Sequence, residues 1–477
     1  MFENYVVDSG YDEMMRGADS PRDAYVRLHR TLADFSEPEL HTRYRMAQSI
    51  FLRQGITFTV YHDERGTERP MPFDFIPKII PAAEWEHIER GLVQRVKALN
   101  AFLEDVYNDQ EILYEGVVPR DLIVTSEYFC PQVAHVAIPR RNHIFMSGID
   151  LIRNETGEYH VLEDNLRNPS GMAYVYQNRY VMRKVFPEFF RDYSVRSLAT
   201  YFTDLLSALQ QLDPHERQNP TVVLLTPGMY NSAYFDHSFL AQQMGIELVE
   251  GRDLVVVDRV VYMKTSHGLQ EVDVIYRRID DAFLDPLEFR SDSLLGVPGL
   301  MDAYRAGNVA IANGLGNGVA DDKAVYAYVP DMIRYYLGEQ PILPNVPTYH
   351  LSNPEEREFV LSRLPELVVK QTDSSGGYNM LIGPQAQEME IEHFRKRILG
   401  APHKFVAQPT VQLSKVPTFV GGGMRGCHVD LRAFVIQGEH TTVFGGGLAR
   451  VAMKDGSLIV NSSQGGGAKD TWVLVDG

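Results

Sequence analysis

Cysteine is nearly absent, with two residues, Cys130 and Cys427, in 477. That number excludes a disulfide framework and a Cys-based zinc site, and leaves each thiol the expected role of a small buried hydrophobe. Basic charge is also short: 46 Lys and Arg stand against 63 Asp and Glu, a net charge of −17. A nucleic-acid-binding protein needs a basic face, so that class is excluded. A nucleotide is not excluded, because a metal ion and a few lysines neutralise its phosphates locally. No run of about 18 apolar residues occurs, so no transmembrane helix and no membrane partner are expected. The N-terminus, MFENYVVDSGYDEMM, has no basic segment leading into an apolar core, and a cytoplasmic protein without a signal peptide is the expectation. The remaining composition, 44% apolar and 23% charged, is that of a globular chain with room for two or three cores.

Periodicity divides the chain. Residues 1–110 read as mainly helical. Ser20-Pro21 supplies an N-cap and first-turn proline, and Ile88, Leu92, Val96, Leu99 and Leu103 mark one face of a helix over Glu84–Tyr107. QGITFTVYHD reads as a strand, and the four prolines of Pro70–Pro81 as a rigid connection. Residues 111–215 become strand-rich from 121, with a helix over Tyr174–Phe190. After the break DPHERQNP, the order TVVLLTPG, DHSFLAQQMG, IELVE is strand–helix–strand, the pattern of a small parallel α/β domain over 216–308 with a ligand crevice at its strand ends. VVYMKTSHGLQEVDVIYRR reads as a hairpin returning to that sheet. Arg277, Arg278, Asp280 and Asp281 either line the crevice mouth or are solvated charges at a strand end. Over 309–477 a helical DDKAVYAYVPDMIRYYLG precedes strands separated by glycine clusters, read as turns or loops.

The most informative stretch is IFMSGIDLIRNETGEYHVLEDNLRNPSG, residues 144–171. Two apolar-rich arms flank a turn cluster, the signature of a β-hairpin. With Thr156-Gly157 as a two-residue loop, 155 faces 158 and Asp150 lies opposite Glu163. Asn165 shares their face, since side chains alternate with period two. Two carboxylates and an amide oxygen are hard ligands of the kind Mg²⁺ or Mn²⁺ takes, and such sites keep positions open for phosphates. A solvent-facing polar edge fits these residues as well, and a slip of one residue would put Asp150 on the other face.

Further on, PELVVKQTDSSGGYNMLIG places Lys370 at a strand end beside a glycine-bearing loop whose amides can approach phosphate oxygens. It is not a Walker loop, since G-x-x-x-x-G-K-[ST] occurs nowhere; an ordinary turn is the plainer alternative. FVAQP is an apolar strand ending at Gln408 that can lie beside an adenine ring or serve only as core. Asp430 and Arg432 share one strand face, as a local ion pair or a phosphate clamp. Arg450 is either a second anion contact or a surface arginine.

In this order (Asp150, Glu163-x-Asn165, DDKAVYAYV, VVKQTDSSGGYNM, FVAQP, HVDLRAF) the chain resembles the ATP-grasp ligases. It resembles more closely their circularly permuted branch related to glutathionylspermidine synthetase, in which the metal-binding triad precedes the lysines. The resemblance implies an α/β (α+β) ATP-grasp fold in permuted order, with an inserted Rossmann-like pre-ATP-grasp domain and a helical N-terminal region. The metal-binding part falls at 111–215 and the ATP-binding part at 309–477. It implies that Asp150, Glu163 and Asn165 hold Mg²⁺, that Lys323 and Lys370 neutralise ATP phosphates, that Ser374, Ser375, Gly376 and Gly377 form a lid, and that Gln408 sits near the adenine. Arg432 and Arg450 are the implied catalytic arginines. One departure is Gly148, where glutathionylspermidine synthetase has an arginine two residues before the first metal acid; Arg167 is the candidate replacement. A separate amidase domain with a catalytic cysteine is not expected.

The activity so implied joins a small-molecule or peptide carboxylate to an amine through an acylphosphate, with release of ADP. A nucleotide-binding regulatory module with reduced catalysis is the alternative, and a protein-bound acceptor is a variant of the first.

Overall fold

The computed structural model describes residues 2, 5–7, 10–58, 69–372, 379–453, 460 and 466–475. A seven-stranded sheet forms its centre, in the order 73–80, 467–473, 441–451, 423–437, 146–153, 159–165, with Lys415–Val420 pairing the other half of the 423–437 strand. The spine is Gly423–Gln437, 15 residues long, which is hydrogen-bonded to three neighbours. All eight residues of Met146–Arg153 are buried, as befits a strand with both faces covered.

The long helix Ala82–Val106 lies close to its expected span. Its stripe of Ile88, Leu92, Val96, Leu99 and Leu103 is fully buried, each side chain contributing about 1.5–3 kcal/mol by leaving water. The same helix carries Arg95, whose guanidinium grips Asp164 with two hydrogen bonds of 2.6 Å and so ties the helix to the back of the 159–165 strand.

The mixed α/β architecture is observed, and several local expectations are corrected. Ser20–Pro21 is a short strand paired with Met15–Gly17, and the helix begins at Val26. The proline-bearing connection contains the strand Phe73–Ile80. Pro77 is tolerated because this strand is at the sheet edge and the register jumps there, from Asp74 opposite Lys469 to Lys78 opposite Thr471. The region from 121 to 145 is short helical turns, with strands only from Met146. Of QGITFTVYHD, Thr57–Phe58 is a strand and the residues from 59 lie outside the described residues. Gly445–Gly447 is no turn: it lies inside the continuous strand Thr441–Val451. A Cβ at Gly447 would stand 2.7 Å from the Arg432 carbonyl oxygen, so close strand packing is what glycine serves there. Gly421 and Gly422, with φ of +63° and +88°, do make the tight turn expected of them.

The strand–helix–strand segment forms a four-stranded, wholly parallel sheet in the order 310–312, 274–277, 222–225, 247–249. The hairpin Val260–Thr265/Gly268–Glu271 belongs to a separate three-stranded sheet with Leu254–Val257, and only Val274–Arg277 returns to the parallel one. A second four-stranded sheet, 349–350, 405–409, 367–371, 380–382, has its own small core built around Leu351, Val369, Leu381, Phe394 and Ile398. Cys130 and Cys427 are both buried; burial pushes the Cys130 thiol up to about 12, so it behaves as a hydrophobe. Among the described residues no helix is long and apolar enough to cross a membrane.

Candidate active site

The hairpin reaches the expected pairing at its inner end by an unexpected route. Near the turn Arg153 faces Tyr159 and Asn154 N–H donates to Glu158 O at 3.0 Å, so three residues, 155–157, make the loop, with Gly157 at φ +90°. Continued unchanged, that register would set Asp150 opposite Leu162. The ladder instead passes from Leu151–Val161 to Asp150–Glu163, a bulge that leaves Leu162 as the extra residue. From there Asp150 faces Glu163 and Gly148 faces Asn165, so the three oxygen-bearing side chains share one face. The polar residue between them, Asp164, points to the other face and its Arg95 partner.

The arginines come from the spine and its neighbour. Arg432 is directly opposite Asp150 across the ladder, and Arg450 is opposite Asp430. Arg432 Nε donates to Asp150 Oδ1 at 2.6 Å and its Nη2 to Oδ2 at 2.9 Å. Arg450 Nη2 reaches Asp150 Oδ2 at 2.8 Å, while its Nε donates to Asp430 Oδ1 at 2.9 Å. The Asp430–Arg432 pair within one strand is therefore replaced by cross-strand pairs, and Arg450 is buried rather than on the surface. Burial pushes the Asp150 carboxyl up, but the two guanidiniums outweigh it and hold the group down at about 2. Burial dominates at Asp430, whose carboxyl is raised.

Gly148 is where Arg432 crosses. A Cβ there would meet Arg432 Cδ at 3.1 Å and Pro169 Cβ at 3.0 Å. The positive charge beside Gly148 is thus Arg432, not Arg167. Arg167 Nε donates to Asp321 Oδ2 at 2.8 Å, and its guanidinium lies 4.4 Å over the Tyr128 ring.

Lys323 opens a short helix, with Asp322 as N-cap, and its Nζ stands 3.1 Å from Glu163 Oε1. Lys370 comes from the separate four-stranded sheet, and its Nζ donates to Gln408 Oε1 at 2.7 Å; Gln408 Nε2 in turn donates to Thr348 Oγ1 at 3.0 Å. Glu163, Lys323, Lys370 and Gln408, with Asp321 and Tyr326, line one cleft between that sheet and the hairpin. Burial holds the Lys370 ammonium down at about 8; Lys323 acts in the same sense, against Glu163 and Asp150. Ser374, Ser375, Gly376 and Gly377 lie outside the described residues.

Sequence reasoning missed Asp321, Thr348 and the Arg95–Asp164 pair. Asp321 accepts from Leu166 N at 2.6 Å as well as from Arg167, and so closes the loop that leaves the hairpin. The acid pair directly before Lys323 was the available signal. Among the described residues no group of three or more His, Cys, Asp or Glu could hold a metal; the candidate set here is two carboxylates and an amide.

A hairpin carrying oxygen-bearing side chains thus faces a lysine-bearing antiparallel sheet, with the acids earlier in the chain than the lysines. The family model "Circularly permuted ATP-grasp type 2" matches residues 77–452, and the chain belongs to that family. An uncharacterized protein of Synechocystis is 50% identical over 473 residues, 99% of this chain and 98% of its own length. A protein of Mycobacterium tuberculosis, strain H37Rv, is 50% identical over 98% of this chain and 85% of its own. A Frankia alni protein named "Putative glutamate--cysteine ligase 2-3" is 42% identical over 98% of this chain, which covers 54% of it. That name therefore describes a protein about twice as long. The structure of a glutathione synthetase-like effector from Globodera pallida superposes with a TM-score of 0.59 over 92% of this chain and 98% of its own, at 10% identity, a likeness of fold alone.

Proposed function

We propose that this protein is an ATP- and Mg²⁺-dependent carboxylate–amine ligase working through an acylphosphate. The observation that carries the reading is the cleft itself, where Glu163 and Lys323 from one half of the chain meet Lys370 and Gln408 from the other. Family membership and the ligase name of the Frankia relative support it. Kinship to glutathionylspermidine synthetase is proposed at the level of the reaction and not of the substrate pair, given Gly148.

The donor set suits a hard divalent cation, Mg²⁺ or Mn²⁺: Asp150, Glu163 and Asn165 carry oxygens on one face, and Glu163 is 27% exposed to the cleft. Asp150, whose two oxygens accept from Arg432 and Arg450, would have to give up a guanidinium contact to join the set. A cation held by these residues would supply charge neutralisation for the phosphates. Lys323 and Lys370 hold the phosphate chain, and Gln408 with the 405–409 strand borders the adenine side. Arg432 stabilises the charge that builds as a substrate carboxylate oxygen attacks the γ-phosphorus and the bond to the β–γ bridging oxygen breaks, releasing ADP. The amine then attacks the acyl carbon, the carbon–oxygen bond to phosphate breaks, and phosphate leaves. Release of ADP that requires both an acid and an amine, followed by mass analysis of the product, tests the assignment; nucleotide binding without any such turnover refutes it.

Lys370 gives a sharper expectation. Lys370→Met should weaken ATP binding by about tenfold to a hundredfold, the loss of a charge-assisted contact in a desolvated cleft. In the parent protein, affinity should also fall as pH rises through about 8, where the ammonium loses its proton. Calorimetric titration of ATP between pH 7 and 9.5 checks both. The methionine variant should lack the pH dependence, and equal affinities for parent and variant would contradict the role.

A further inference from the structure

Three buried polar atoms near the active site have no hydrogen-bond partner among the described residues: Arg278 Nε, Asp236 Oδ2 and Asn168 Oδ1. Buried polar groups are nearly always satisfied, so such a group calls for an explanation. Arg278 follows the strand Val274–Arg277, and its backbone N–H donates to Leu225 O, so it stands between the carboxyl ends of two central strands of the parallel sheet. That is where open parallel sheets bind ligands. Arg277 and Arg278 are both buried, which removes the solvated strand-end alternative for them. Arg277 is fully spent on the carbonyls of Asn313, Ile279 and Gly314 and on Asp281. Arg278 is not spent. Its Nη1 makes a 3.3 Å bond to Tyr276 Oη, and its Nη2 stands 3.5 Å from Asp236 Oδ2, an ion pair without a hydrogen bond.

Asp236 Oδ1 accepts from Ala173 N at 2.8 Å in the first turn of the helix Met172–Val185, and the Gly171 N–H at that helix's N-cap also acts to lower the carboxyl. The other oxygen is left towards Arg278. These strand ends connect to the reaction site through the loop 168–171: Asn168 Nδ2 donates to Asp280 on one side, and Ser170 O accepts from Arg432 Nη1 at 3.4 Å on the other. Burial raises the Asp236 carboxyl, while Arg278 and Arg432 both act to lower it, so Arg432 is within electrostatic reach. The loop after the 222–225 strand carries Met229 and Tyr230 at 69% and 92% exposure, an apolar rim on the same end of the sheet.

We infer that these strand ends bind the head of the acid substrate, an α-amino acid, with its α-carboxylate on Arg278 and its α-ammonium on Asp236; both side chains are buried, so binding requires the packing over them to part. An anion and a cation set side by side but not hydrogen-bonded match a zwitterion, which gives each the partner it lacks. The consequence for substrate class is direct. With the α-carboxylate held by Arg278, the carboxylate that reacts beside Arg432 must be a second one, so the substrate is a dicarboxylic amino acid, free or as part of a larger molecule. The inference rests on the ligase reading for the identity of the reacting group, but the binding site stands apart from turnover.

The test is calorimetric titration of the full chain, loaded with a non-hydrolysable ATP analogue, using L-glutamate and L-aspartate, then glutarate and 4-aminobutyrate. At least one of the two amino acids should bind saturably. Glutarate, lacking the ammonium, and 4-aminobutyrate, lacking the α-carboxylate, should each bind at least tenfold more weakly, as expected for the loss of one charged contact. Arg278→Met should lower amino-acid affinity by about a hundredfold, Arg278→Lys by less, with the affinity for the ATP analogue unchanged in both. Binding of neither amino acid, equal binding of glutarate, or a methionine variant that still binds the amino acid overturns the inference. So does a parallel loss of nucleotide affinity, which marks Arg278 as a structural ion-pair partner. A chain that binds these amino acids through Arg278 yet releases no ADP with any amine retains the site and refutes the ligase reading instead.

Discussion

Glu163→Ala should abolish ATP turnover, by at least about a thousandfold, while leaving the protein folded. The two halves of that expectation have separate causes. Glu163 is partly open to the cleft and makes one ion pair, with Lys323, a contact worth no more than about 1 kcal/mol at such exposure. Its removal therefore leaves the thermal midpoint nearly unchanged. For chemistry it is the most accessible of the three oxygen ligands proposed here, and the adjacent lysine then lacks the acid that positions it. ADP release and a melting curve on the same preparation measure both halves. A variant that turns over at the parent rate removes the hairpin from the mechanism.

Asp150→Asn should act in the opposite proportion, with stability lost together with activity. The carboxylate is buried and answers two guanidiniums, and Arg432 has no other acid in hydrogen-bond contact among the described residues. Neutralising one member of such a set strands buried positive charge, at a cost of about 3–5 kcal/mol. The thermal midpoint should fall by more than about 5 °C. Asp150→Leu combined with Arg432→Met should recover part of that loss, because both charges are then gone. The pH dependence follows from the same contacts. With the native carboxyl held down at about 2, its contribution is complete above the unfolded carboxylate range near 3.8 and is lost as pH falls through about 2. A midpoint unaffected by Asp150→Asn would show that the arginines find other partners.

Much of this site was legible in the sequence because it lies on strands, where period-two alternation assigns faces from spacing alone. Asp150, Glu163 and Asn165 came together for that reason. The turn did not follow the rule used to read it: Asn154 closes a three-residue loop, and the bulge at Leu162 restores the frame. The right facing was reached through two offsets that a two-residue turn does not contain. Partners contributed by distant strands were less legible. Nothing local shows that Arg432 crosses to Asp150 instead of pairing with Asp430, since that depends on the order of strands in the central sheet. Gly445–Gly447 misled for a related reason, because glycine marks close backbone approach as readily as it marks a turn. The proline-bearing edge strand Phe73–Ile80 was hidden because proline argues against a strand unless an irregular edge position is known in advance.

The bulge has one more effect. Leu162, the residue it adds, lines the cleft beside Glu163 and packs with Ile152, Val346, Leu413 and Val411. Val346 belongs to the strap entering the sheet that bears Lys370, and Val411 and Leu413 to the strap leaving it. Both tethers of that sheet are thus anchored on a single aliphatic peg rising from the acidic ribbon. The spare residue that corrects the ribbon's frame therefore also packs against both connections of the lysine-bearing sheet.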